Sequence, residues 1–393
     1  MDKKRKYGFN TLAVHSGSQP FHAVNPPIFL TSTFHFDSLE HAEETFSFAR
    51  PDYVYTRGNN PTLRLLEEKV ALLEEGTDAV AFSSGMAAIS SVLLSLLEPG
   101  DTVVAHRTVY GSSYSVLSQV LPRYGIACRF LDLTKRESLA ENMSERVKVI
   151  YFETPANPNL EIIDIAQVSA LAQPWGAKVV VDNTFATPYF QKPLTLGADV
   201  VVHSATKYIS GHGDVLGGLA VSRDLEYIHR LKFGYLCELG GVMSPFNGWL
   251  LLRGLKTLGL RMERHERNAF EVARFLLYHP KVTAVHYPGL PRFPGYETAK
   301  RQMTGFGGML SFEVRGGLAP ARKLVNSLRL IKLAVSLGDA ETLVEHPASM
   351  THRGYPRETL EQFGLTESMI RLSLGLEDPE DIIADLEQAL AQV

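Results

Sequence analysis

The chain has 393 residues, 45% of them hydrophobic and 21% charged, with a formal net charge of −4. That length buries a large core in one or two domains, and the near-balanced charge gives no reason to expect nucleic acid or an anionic membrane as partner. Two cysteines, Cys128 and Cys237, are too few for a disulfide framework, no apolar run approaches the ~18 residues of a membrane span, and a reducing cytoplasm is the expected setting.

The basic start, Lys3 to Lys6, precedes no apolar stretch, so no signal peptide is expected and the terminus reads as solvated. Residues 7–59 show little helical or strand periodicity and are rich in Pro, His and aromatic residues, the composition of a segment that wraps over something else. Asn60-Pro61-Thr62 then opens a helix whose apolar positions are Leu63, Leu66, Val70 and Leu73, with Gly76 past its end. A strand at Ala79–Phe82 runs through SSGM into an apolar helix, Ala87–Leu97. A strand, a glycine turn and a helix N-terminus together make an anion site, because unpaired N–H groups point outward there; this makes Gly85 and Met86 candidate phosphate binders. The alternation continues with strands at Thr102–His106, Arg129–Leu133 and Lys148–Phe152, and helices near Ser112–Leu121 and Arg136–Asn142. Such alternation predicts an α/β fold with a mainly parallel sheet and helices on both faces.

Two buried strands then end in chemistry. Val179–Val181 leads into Asp182, and Val200–Val202 into His203-Ser204-Ala205-Thr206-Lys207-Tyr208, followed by Gly211 and Gly213. Free lysine has a pKa of about 10.4 and needs a special site to act as an amine nucleophile. A Schiff base between Lys207 and pyridoxal phosphate suits this setting, with Ser204 and Thr206 on the phosphate and Asp182 on the protonated ring nitrogen. The plainer alternatives are a loop lysine at 207 and a helix cap at 182; a metal role for Asp182 lacks a His/Cys/Asp cluster at ligand spacing. A nicotinamide site is disfavoured because no GxGxxG follows a strand. Residues 244–279 are helical in spacing, interrupted by Gly254 and Gly259, and late strands are expected at Met309–Val314 and Ile370–Leu374 before a closing helix, Pro379–Leu390.

The motifs YTRGNNPT (55–62), SSGMAA (83–88), VVVDNT (179–184), HSATKY (203–208) and HPASMTH (346–352) resemble those of the Cys/Met-metabolism family of pyridoxal-phosphate enzymes over nearly the whole chain, most of all its methionine γ-lyase members. The resemblance implies the seven-stranded PLP-transferase fold, divided into an N-terminal arm (1–59), a cofactor-binding large domain (60–255) and a smaller C-terminal α/β domain (256–393). It implies that the arm crosses to a neighbouring subunit and lends Tyr55 and Arg57 to that subunit's phosphate, in a homotetramer built from active dimers. Arginine suits the role because its planar fork binds phosphate oxygens bidentately. It gives Tyr110 the task of stacking on the pyridine ring and protonating the leaving group, Asn157 a contact with the cofactor's phenolic oxygen, Arg371 the substrate α-carboxylate, and Ser336 a place beside that carboxylate. Read without the family, Tyr110 is a packed core aromatic and Arg371 an internal salt bridge within an apolar strand.

The expected reaction is γ-elimination. Substrate amine displaces Lys207, the freed amine takes the Cα proton, the cofactor ring held by Asp182 accepts the charge, and loss of a Cβ proton and the γ-substituent leads by hydrolysis to 2-oxobutanoate and ammonia. Relatives handling cystathionine place a glutamate just before the serine and an arginine five residues after the stacking tyrosine; here these positions hold Val335 and Ser115. An apolar Val335 suits the thioether methyl of methionine, which needs no partner. Ser112 stands where methionine-specific members carry cysteine, and Leu236-Cys237 where they carry Lys-Asp. The expectation is therefore a lyase for methionine and related S-substituted amino acids, with γ-replacement (cystathionine γ-synthase or O-acetylhomoserine sulfhydrylase), cystathionine γ-lyase and a non-enzymatic binding protein as alternatives.

Overall fold

The computed structural model describes residues 6–17, 20–353, 358, 360 and 363–393; most of the basic start lies outside these. Seven strands form the larger sheet: β1 (Asp78–Phe82), β2 (Thr102–His106), β3 (Ala127–Leu131), β4 (Val147–Glu153), β5 (Lys178–Asp182), β6 (Val200–Ser204) and β7 (Gly218–Ser222), in the order β1-β7-β6-β5-β4-β2-β3. Only β7 runs against its neighbours, pairing antiparallel with both β1 and β6. The expected mainly parallel α/β sheet is the one observed. Its inner strands are apolar throughout because helices cover both faces: Val179, Val180, Val181, Val200, Val201 and Val202 are all almost fully buried. Parallel strands end on one edge of a sheet, and ligands of open α/β sheets bind outside those ends. Here that edge carries Ser84, Tyr110, Glu153, Asp182 and Ser204.

A second sheet comprises β8 (Val282–His286), β9 (Met309–Val314), β10 (Lys332–Leu333), β11 (Leu343–Glu345) and β12 (Met369–Ser373), in the order β10-β11-β12-β9-β8. The closing helix is Pro379–Leu390, as predicted.

Several expectations shift. β3 begins two residues earlier than predicted, and Leu133 is buried beyond its end, where its N–H donates to His106 Nδ1 at 3.2 Å. The segment 7–59 contains two short helices, Phe9–His15 and Leu39–Phe46, the latter capped by the Ser38 side chain. Gly254 and Gly259 do not break the long helical region; the break falls between them, with helices Pro245–Leu255 and Leu258–Tyr278. Both glycines serve close approach instead: a Cβ on Gly254 would meet the carbonyl oxygens of Ile209 and Ser210 at 2.5 Å, and one on Gly259 the Asn10 side chain at 2.0 Å.

Candidate active site

At the carboxyl edge of the large sheet, closed on its far side by residues 335–337 and 351 and by Arg371 of β12, lies a cleft of ≈250 Å³. Its first wall is an anion cradle. Ser84 caps the helix Gly85–Leu96, its hydroxyl accepting from Ala87 N at 3.1 Å, which leaves the amides of the first turn pointing outward without intrahelical partners. A Cβ on Gly85 would lie 2.8 Å from Ser204 Cβ, so only glycine lets the helix start close on the end of β6. The Thr206 hydroxyl is fixed by Gly217 N at 3.0 Å. Two hydroxyls and a helix N-terminus on one spot suit a phosphate dianion.

The floor holds two carboxyls on adjacent strands, Glu153 and Asp182, which face each other in register. Asp182 accepts from Thr184 N at 3.0 Å; burial raises its pKa, against the Thr184 bonds and the nearby His203, which lower it. Glu153 is pushed well above the ordinary carboxyl range by burial and by Asp182 beside it, and its Oε1 accepts from Tyr110 N at 2.6 Å. This bond fixes the start of the loop carrying the Tyr110 ring, which is 41% exposed toward solvent.

Lys207 enters from the loop after β6. Burial, then the charge of Arg371, lowers its pKa to about 8, and its Nζ donates to Ser336 Oγ at 2.9 Å. Ser336 has φ +103°, a region that L residues other than glycine resist. The next tight contact on this loop is Gly338 (φ +78°), where a Cβ would meet Tyr208 N at 2.6 Å. The loop from the small sheet is thus pressed against the backbone that carries the lysine.

Arg371 is buried, and its guanidinium is held on one edge. Nη1 donates to Asn157 Oδ1 at 2.8 Å and pairs with Glu345 Oε1 at 3.0 Å; Nη2 donates to the Ser336 carbonyl at 3.0 Å. Nε, although buried, has no partner among the described residues. Nε–H and the second Nη2–H form the side of the fork that a carboxylate binds bidentately. The internal ion pair of the plainer sequence reading is therefore present, and the Nε edge is left without a protein partner among the described residues.

The cleft brings together Lys207, Asp182, Ser204, Thr206, Gly85, Met86, Tyr110, Asn157, Arg371, Ser336 and Val335. Three residues singled out from the sequence are elsewhere. Ser112 is the second residue of the helix Gly111–Ser115 that follows Tyr110 and is not among the lining residues. Tyr55 and Arg57 lie in a separate groove, where Arg57 Nη1 donates to Cys237 O at 3.0 Å and the guanidinium sits 5.8 Å from the Tyr55 ring centroid. The sequence reading missed Ser84, Ile89, Glu153, Pro155, Thr184, Phe185, Leu216, Leu337 and Thr351. Glu153 ends an apolar strand just as Asp182 does, and the same rule would have found it. The apolar members are indistinguishable from core in sequence.

A cradle for a dianion, a buried carboxyl beneath a broad cleft and an amine of lowered pKa form one donor set. It fits a molecule with a phosphate, a cationic ring nitrogen and an aldehyde, as pyridoxal phosphate has. Among the described residues no group of three or more His, Cys, Asp or Glu side chains could hold a metal ion, and no helix is long and apolar enough to cross a membrane.

Comparison with known proteins agrees. The family model described as Cys/Met metabolism PLP-dependent enzyme matches residues 10–391. The chain is 49% identical over 393 residues to the L-methionine gamma-lyase of Fusobacterium nucleatum subsp. polymorphum, covering 99% of each, and 44% identical over 386 residues to the cystathionine gamma-lyase of Bacillus subtilis, covering 98% of this chain and 99% of that one. Its fold matches the cystathionine gamma synthase of Xanthomonas oryzae pv. oryzae with a TM-score of 0.93 at 42% identity, over 99% of both chains.

Proposed function

The chain belongs to the Cys/Met metabolism family of PLP-dependent enzymes, and on that premise we propose that it cleaves methionine and related S-substituted amino acids by γ-elimination, releasing 2-oxobutanoate, ammonia and a thiol. The observation that carries this reading is the meeting, in one cleft, of the Lys207 amine with an Arg371 guanidinium whose Nε is unpaired among the described residues. The methionine gamma-lyases at 46–49% identity support the choice of substrate. Val335, Leu216 and Ile89 support it too, giving part of the cleft an apolar lining against which a thioether needs no polar partner.

Pyridoxal phosphate, when bound, supplies an aldehyde for the substrate amine and a ring that takes up the electron pair left at Cα. In this reading Gly85, Met86, Ser204 and Thr206 hold the phosphate, Asp182 balances the ring nitrogen and Asn157 contacts the phenolic oxygen. Arg371 grips the α-carboxylate beside Ser336. Lys207, whose amine burial and Arg371 hold below the ordinary lysine range, takes the Cα proton. Tyr110 offers its ring as a stacking face and its hydroxyl as the acid for the departing sulfur.

We further take residues 1–59, 60–255 and 256–393 as arm, large domain and small domain, and the assembly as a cytoplasmic homotetramer. Within the arm Phe21, Val24, Leu30, Phe46 and Phe48 are each at least 59% exposed, an apolar surface that a neighbouring subunit would cover, and Tyr55 and Arg57 would then serve that neighbour's phosphate. Mixing a Tyr55→Phe variant with a Lys207→Ala variant should restore activity as subunits exchange; no recovery under proven exchange removes this part of the reading.

The deciding assay supplies methionine alone and follows 2-oxobutanoate. A second reading, γ-replacement, draws on the likeness to a cystathionine gamma synthase. It predicts turnover of an O-acyl-homoserine with added thiol and little of methionine alone.

A further inference from the structure

Glu345 ends β11 directly across from Arg371 on β12, its register partner. Its Oε1 both pairs with Arg371 Nη1 at 3.0 Å and accepts the Thr351 hydroxyl at 2.8 Å, while Oε2 has no partner among the described residues. The glutamate is 1% exposed and the arginine 3%. As a stabilising device such a pair is poor, because desolvating both charges cancels most of their attraction. As a positioning device it is not needed, because Asn157 Oδ1 and the Ser336 carbonyl already hold the guanidinium from two sides. What the carboxylate adds, and neutral acceptors cannot, is negative charge.

A buried, uncompensated guanidinium would bind any carboxylate tightly, substrate and 2-oxo acid product alike. Such uniform binding lowers KM without speeding the chemical step, and it slows product release. We infer that Glu345 acts through Arg371 as a charge brake: it cancels part of the guanidinium's charge so that α-carboxylates are oriented on the unpaired Nε–Nη2 edge and yet released. This rests on the proposed role of Arg371. The same charge extends to Lys207, whose proton it favours against the opposing influence of Arg371.

The test uses the holoenzyme and 4-(methylthio)butanoate, which is methionine without its amine and so can neither attach to the cofactor nor react. Its Kd is measured by calorimetry and its competitive Ki by assay, for wild type, E345Q, E345D and R371K. E345Q keeps an acceptor for Arg371 and Thr351 while losing the charge, and should bind the probe about five- to fiftyfold more tightly. It should also lower KM and lower kcat where product release limits turnover. E345D, which keeps the charge but draws it back, should shift the same way by less, and reports the sign even if E345Q folds poorly. A residue that merely braced Arg371 would give the opposite sign. If R371K weakens the probe while E345Q and E345D leave it unchanged or weaker, the charge brake is overturned and the role of Arg371 survives. If R371K binds the probe as wild type does, the reading of Arg371 fails and the inference with it.

Discussion

The Lys207 amine reaches across the cleft to Ser336, Nζ to Oγ 2.9 Å, so that a residue in the loop between β6 and β7 of the large sheet is held by one in the loop between β10 and β11 of the small sheet. Ser336 adopts φ +103° to do so. S336A removes the hydroxyl and keeps the strained backbone, whereas S336G removes the hydroxyl and relieves it. The glycine variant should be the more stable by about 1 kcal/mol in urea unfolding, with turnover reduced in both. Equal stabilities would show that the backbone at 336 stores no strain.

The lowered pKa of Lys207 has a definite sign. In the folded protein without cofactor, the amine loses its proton around pH 8 rather than at its ordinary 10.5. Stability linked to this group is therefore fully present above the unfolded value and is lost as pH falls through about 8. K207M has nothing to titrate there. The deficit of wild type relative to K207M, read from urea midpoints of the two apoproteins, should shrink as pH rises from 7 to 10.5. A pH-independent difference would contradict this. In the holoenzyme K207M should lose turnover by ~10³-fold or more, and borohydride should leave no modified peptide at that position.

Gly85 tolerates no side chain, since a Cβ there would stand 2.8 Å from Ser204 Cβ. G85A should push the helix start away from β6 and cost cofactor affinity at least about tenfold, the equivalent of one hydrogen bond to a charged group. Fluorescence titration with pyridoxal phosphate reads this directly, and circular dichroism should show the fold retained. An unchanged dissociation constant would move the phosphate site elsewhere.

Removing Arg371 strands Glu345. R371M should destabilise the protein by about 3–5 kcal/mol, because it leaves a buried, unpaired carboxylate. The double variant R371M/E345Q should recover a large part of that loss. Urea denaturation of the four members of the cycle measures the coupling, and additive losses would mean that the two charges do not depend on each other.

The meeting of 182, 204 and 207 at one cleft was legible because buried strands read as short apolar runs and polar residues just past those runs reach the sheet's carboxyl edge; His203, the first polar residue after the apolar run of β6, turns inward to Glu74 instead. β2, β9 and the final helix agree residue for residue with expectation. β3 lies at the sheet margin, where burial is partial and the pattern weak. β10 is two exposed residues long and β11 three, too short for any periodicity to register. Glu345 was unreadable for a further reason: it is a buried acid whose partner lies 26 residues away, and no local pattern marks such a pair.

The reversed strand β7 inserts between β1 and β6, and Gly218, its first residue, pairs with Phe82 on one side and Ser204 on the other. The helix start and the serine hydroxyl of the proposed phosphate cradle thus follow strands that are not neighbours, and they meet over a seam where the intervening residue has no side chain. A Cβ on Gly218 would lie 2.0 Å from the Ser84 carbonyl oxygen, a wedge driven between the two halves of the anion site. Tolerance to mutation in this pocket is consequently governed in part by a position with no ligand contact of its own.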